Sequence, residues 1–157
     1  MTRPEQLAHS DSIQIDASPE EVYAVVSYIT RTGEWSPVCR RAEWAEEGRT
    51  GVGAQFLGHN ESGERRWTTT STVIAADPGE HFAWEVGEGY VHWGYRMRPV
   101  DGGTELTHDW EFLPAGQAFF VERFGDDAPA QVEQRTRSAH DSIPQTLAAI
   151  KEIVERR

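Results

Sequence analysis

Large apolar residues recur at every second position through three consecutive runs, His81–Val86, Val91–Met97 and Glu105–Phe112. Period two sends alternate side chains to opposite faces of a strand. Phe82, Trp84, Val86, Trp93, Tyr95, Met97, Leu106, His108, Trp110 and Phe112 therefore share one face, while Glu85, His92, Arg96, Arg98, Glu105, Asp109 and Glu111 share the other. Further strand-like runs lie near 41–46, 54–59 and 66–75. Between the runs, Ser62-Gly63, Pro78-Gly79, Gly87-Glu88-Gly89 and Asp101-Gly102-Gly103 supply the backbone freedom or preset φ that tight reversals need. The pattern predicts an antiparallel meander, oily on one side and wet on the other.

Helical periodicity flanks the meander. Ser12–Ala17 alternates as a first strand, and Ser18-Pro19-Glu20-Glu21 then supplies an N-cap, a proline at the first helical position and an acid three residues after the cap. The helix this predicts has a buried stripe of Val22, Val25, Val26 and Ile29, and the segment 32–37 breaks it. Beyond Pro114 the period changes: Val132, Thr136, Ala139, Ile143, Leu147, Ile150 and Val154 recur at steps of three and four, predicting a helix from about Pro129 to near the C-terminus. Pro144 sits inside it and predicts a bend or a loosened turn. The stripe must cover something, and the aromatic sheet face is the large apolar surface on offer. The connection Pro114–Gly125 carries Phe119, Phe120, Val121 and Phe124. It reads both as a short helix tucked against the sheet end and as a lid over it.

Size and charge narrow the function classes. The 157 residues suit one domain spanning 1–157. A net charge of -11 argues against a nucleic-acid partner, which demands a concentrated basic footprint. No apolar run reaches the length of a bilayer span and the first ten residues lack a signal-peptide layout, so the expectation is a cytoplasmic protein without membrane insertion. The single cysteine, Cys39, has no partner for an internal disulfide and reads as a small, partly buried residue. The six histidines include no helical i, i+4 pair and no His-x-His, so neither a metal site nor a cofactor is expected.

If Trp84 faces inward, the same phase places Trp67, Thr69, Ser71 and Val73 on the inner side of the preceding strand, with Phe56 beyond them. The hydroxyls of Thr69 and Ser71, the Tyr95 phenol and the His108 imidazole would be a few polar groups in an apolar lining, the usual make-up of a small-molecule pocket. The same tryptophans could instead fill the space, with their ring N–H groups bonded to hydroxyls and carbonyls. Residue pattern alone leaves both open. His108 is the candidate reactive group, being inward-phased with an ordinary pKa near neutrality, although a lone histidine on an apolar face is also a common satisfied core residue. Ser36 and Ser71 lack the Gly-x-Ser-x-Gly elbow of a nucleophilic serine.

Strand, short helices, six strands and one long helix, in that order, carry a resemblance. Its local marks are Ser18-Pro19-Glu20-Glu21-Val22-Tyr23, Glu34-Trp35-Ser36-Pro37, the stretch from Asp77-Pro78-Gly79 to Trp84, and Gly102-Gly103-Thr104-Glu105-Leu106-Thr107. From about Asp11 to Ile153 the chain resembles the START-like, or polyketide cyclase/dehydrase and lipid-transport, superfamily, whose helix-grip fold is shared with the birch-pollen allergen group. The resemblance implies an α+β helix-grip architecture: a curved antiparallel seven-stranded sheet wrapped around a long C-terminal helix, with short helices after the first strand. It further implies a cavity between sheet and helix that binds a hydrophobic small molecule, lipid or polyketide-like. The residues expected to line it are Trp35, Phe56, Trp67, Thr69, Ser71, Trp84, Trp93, Tyr95, His108, Trp110, Phe120 and Ile143, with Trp35 at the open end. Two alternatives follow from the same superfamily: a cyclase/dehydratase-type enzyme acting on such a ligand, and an interaction module of the chaperone-activator type using the outer sheet face. No catalytic motif of the superfamily carries over residue by residue.

Overall fold

The computed structural model describes residues 7–156. Seven strands form one antiparallel sheet: β1 (Ala8–Ile15), β2 (Cys39–Trp44), β3 (Gln55–Ser62), β4 (Arg65–Asp77), β5 (His81–Val86), β6 (Val91–Val100) and β7 (Gly103–Phe112). Their spatial order is β1-β7-β6-β5-β4-β3-β2, so β2 to β7 is a meander and β1 closes on the far side of its last strand. Helix α1 (Pro19–Val26) and a 3-10 turn (Ile29–Glu34) link β1 to β2, and α2 (Pro114–Phe124) leads into the long α3 (Ala128–Glu155). This is the helix-grip architecture, α+β, that the residue pattern and the resemblance predict.

Local chemistry explains the joints. Ser18 and Glu21 close a capping box, each backbone N–H donating to the other's side chain at 3.1 Å, which satisfies two donors the first helical turn would otherwise leave bare. The stripe expected for α1 is split, because the α-helix stops at Val26 and Ile29 is buried from the 3-10 turn instead. Helix α3 runs unbroken through Pro144, whose ring lies on the exposed side of the helix while Ile143 and Leu147 are buried. At its C-terminal end α3 is bolted to β1: Lys151 Nζ donates to the Gln14 carbonyl at 2.7 Å, and the Asp16 N–H donates to Glu155 at 2.8 Å. Gly103, at φ 152°, lets β7 start hard against Ile15, where a Cβ would overlap the Ile15 carbonyl.

Burial is uneven along the concave face, and this positions the site. At the α1 end, Ile15, Val22, Val26, Phe82, Met97 and Leu106 form a closed core with Leu147, Ile150 and Val154 of α3. Helix α3 approaches the sheet chiefly over β1 and β7. Toward the other end of the strands, where the β5–β6 turn meets α2, the inward residues Trp67, Thr69, Trp84, Val91 and Trp93 stay only partly buried.

Candidate functional site

The register places the expected lining residues as neighbours. Cross-strand pairs Phe56 with Ser71, Val73 with Trp84, Trp84 with Trp93, Trp93 with Trp110 and Tyr95 with His108 all lie on the concave face. Their rings make a continuous track. Trp44, Phe56, Trp84, Tyr95, His108, Trp93, Trp110, Phe112, Phe120 and Phe124 follow one another with centroid separations between 4.2 and 6.5 Å. Edge, tilted and stacked packing of this kind holds rings rigidly in place. Of the twelve residues expected, Trp84, Trp93, Trp67, Thr69 and Phe120 keep exposed surface, whereas Phe56, Ser71, Tyr95, His108, Trp110 and Ile143 are buried.

Trp35 lies elsewhere than the resemblance implied. It is only 4 % exposed, and its indole N–H donates to the Tyr95 hydroxyl, so it braces the interior rather than marking an open end. Burial drives the Tyr95 phenol well above its ordinary pKa, with the Trp35 bond opposing. Tyr95 is therefore neutral throughout the physiological range.

His108 is 3 % exposed and packs flat on Tyr95. Its Nδ1 lies 2.8 Å from the Gly94 carbonyl oxygen, which can only accept, so Nδ1 carries the proton and Nε2 the lone pair. Burial pulls its pKa down to about 4, with the Gly94 bond opposing. At neutral pH the ring is a neutral hydrogen-bond acceptor and a poor base.

A polar strip faces the aromatics from β3 and β4. Asn60 Nδ2 donates to Thr69 Oγ1 and to the Gly58 carbonyl, both at 3.2 Å. A Cβ on Gly58 would crowd Thr69 Oγ1 and approach the Cys39 sulfur, so Cys39, Thr69 and Asn60 gather on one side of the face. Cys39 is half-buried and burial raises its thiol pKa, which leaves it a weak nucleophile. Asn60 and Gly58 escaped the sequence reading although the alternation of Phe56 already points to both.

Helix α2 covers the end of the face. Gly116 sits against the Tyr90 carbonyl where any Cβ would overlap it, and Phe119 stacks on the Tyr90 ring at 4.4 Å. Phe120 meets Phe112 edge-on at 4.9 Å. The segment is a short helix that tucks Phe120 against the sheet end, the first of the two expectations for it. Two clefts open on the outside. One of about 250 Å³ runs beside α3 between Pro37, Val38, Ser62, Arg137 and Ser142, and one of about 350 Å³ lies between α1 and the end of α3. Neither touches Trp84 or Trp93.

Residues 7–148 match the family described as "Polyketide cyclase / dehydrase and lipid transport", and the chain belongs to that family. Among solved structures, the polyketide-cyclase-like protein Cgl2372 from Corynebacterium glutamicum is 50% identical, with 95% of this chain and 91% of that one covered at a TM-score of 0.69. The Zhui aromatase/cyclase from Streptomyces sp. R1128 shares the fold at 22% identity, with 96% and 94% covered and a TM-score of 0.66. The di-domain aromatase/cyclase StfQ of the steffimycin biosynthetic pathway shares it at 15% identity and TM-score 0.71, this chain aligning over 98% of its length with 53% of that protein. No protein of the curated set matches.

Proposed function

We propose that this protein binds a hydrophobic small molecule, lipid or polyketide-like, between the concave sheet face and α3, entering at the α2 end. The observation that carries the reading is the partial exposure of Trp67, Trp84 and Trp93, large aromatics on the part of the concave face that α3, lying chiefly over β1 and β7, leaves open. Rings of this size left partly open on an inward-facing sheet surface offer a ligand apolar area to cover. Thr69 and Asn60 supply polar anchors beside them, and membership of a family named for both cyclisation and lipid transport fits.

Binding is favoured over turnover by the state of the interior acids and bases. His108 titrates near 4, Tyr95 is pushed upward, and the Cys39 thiol is raised, so none of the three stands near neutral pH where a general acid or base works best. The expected ligand carries its own hydroxyl or carbonyl for Asn60 and Thr69 and presents an apolar body to the tryptophans. Native mass spectrometry of freshly purified protein tests this. A co-purified apolar species of one-to-one stoichiometry, released by organic solvent, supports the reading. Bare protein that also fails to take up an apolar probe contradicts it.

A further inference from the structure

Two arginines converge at the open end of the aromatic face without a counter-ion. Arg65, at the start of β4, has the same inward phase as Trp67, and its guanidinium carbon lies 4.1 Å from the Trp67 ring centroid. Arg135, from the N-terminal half of α3, places its own 5.7 Å from the same ring and 5.3 Å from Phe120. Among the described residues neither guanidinium makes an ion pair, while Glu61 and Glu133 close by in sequence pair with Arg66 and Arg137. Arg65 Nε is buried with no acceptor. Gln131 and Gln134 side-chain oxygens hold Arg135 Nη1 at 3.0 and 3.1 Å, which orients the fork and, among the described residues, leaves its other nitrogens unpaired.

This is an unusual use of charge in a chain carrying a net charge of -11. Two like charges gathered on one indole repel each other, and the ring face offsets only part of that cost. Burial and the Arg65 charge together pull the Arg135 pKa down to about 10, so the site disfavours its own cations. An oxyanion placed between them would relieve both the repulsion and the unmet donors, and guanidinium forks match carboxylate and phosphate geometry. The neighbouring Trp67 and Phe120 then offer apolar contact to whatever carries the anion.

Resting on the hydrophobic-ligand reading above, the geometry points to an amphiphile with an oxyanionic head, a carboxylate or phosphate, held by Arg65 and Arg135 while its apolar body lies along Trp67, Trp84 and Trp93. The test compares cis-parinaric acid with its methyl ester, which share a chain and differ in the charge. Wild-type protein should bind the acid at least about tenfold more tightly, one charge-assisted hydrogen bond's worth or more. Arg65→Gln and Arg135→Gln should each bring the two probes to within about twofold by weakening the acid alone. Retained ester binding certifies that each variant is folded. Displacement of the acid by dodecanoate assigns a carboxylate head, and displacement by dodecyl phosphate a phosphate head. Equal wild-type affinity for acid and ester overturns the anionic head and leaves hydrophobic binding standing. Binding of neither probe overturns both.

Discussion

His108 lies flat on Tyr95, their ring centroids 4.2 Å apart and their planes 9° from parallel. The two are directly opposed across β6 and β7. Each is fixed by a bond to a third group, His108 to the Gly94 carbonyl and Tyr95 to the Trp35 indole. The pair forms a rigid, uncharged floor beneath the partly exposed tryptophans. Adding a proton to His108 would place a charge in this buried floor, where the Asp109 carboxylate favours it but burial outweighs that help.

That cost predicts a pH dependence of stability. The folded-state pKa of His108 is depressed to about 4 from an ordinary 6.5, so between those values the unfolded chain binds the extra proton. Stability from this group is fully present above about pH 6.5 and is lost as pH falls toward 4, by on the order of 3 kcal/mol in total. His108→Gln, whose amide can still donate to Gly94, removes the titration. Chemical denaturation at pH 7 and pH 4.5 should show a smaller loss for the variant than for wild type; equal losses contradict a buried neutral histidine.

Trp35→Phe deletes the donor to Tyr95 and leaves a buried hydroxyl without its partner. The expected loss is about 1–3 kcal/mol. A further Tyr95→Phe change should recover part of it, because the orphaned hydroxyl is then gone, and a double-mutant cycle in urea measures the coupling. Additive effects would show that the bond contributes nothing.

Leu147 is 2 % exposed in the closed core beneath the sheet. Its replacement by alanine should cost about 2–5 kcal/mol, transfer and cavity terms together. A denaturation midpoint close to wild type would mean that α3 does not grip the sheet here.

Much of this molecule is legible in its sequence because the signals are local. Alternation alone assigns the inward phase of Trp84, Trp93, Tyr95 and His108, and the Ser18–Glu21 box marks the start of α1 to the residue. What stays hidden depends on partners far along the chain. β1 begins at Ala8 rather than Ser12 because its polar residues His9 to Ser12 are held by pairing with β7 rather than by any apolar pattern of their own. The bond from Trp35 to Tyr95 joins a loop to a distant strand, and no period announces it. Arg65 and Arg135 look like ordinary surface charges until β4 and α3 bring them to one indole ring.

The central claim is that ligand occupies the partly exposed half of the aromatic face. Solution NMR reads it directly through the indole N–H signals of the six tryptophans. Titration with an apolar amphiphile such as dodecanoate should shift the Trp67, Trp84 and Trp93 signals together along one saturable curve of single stoichiometry. Unmoved indole signals at these three positions, with shifts confined to the outer clefts or absent altogether, would contradict it.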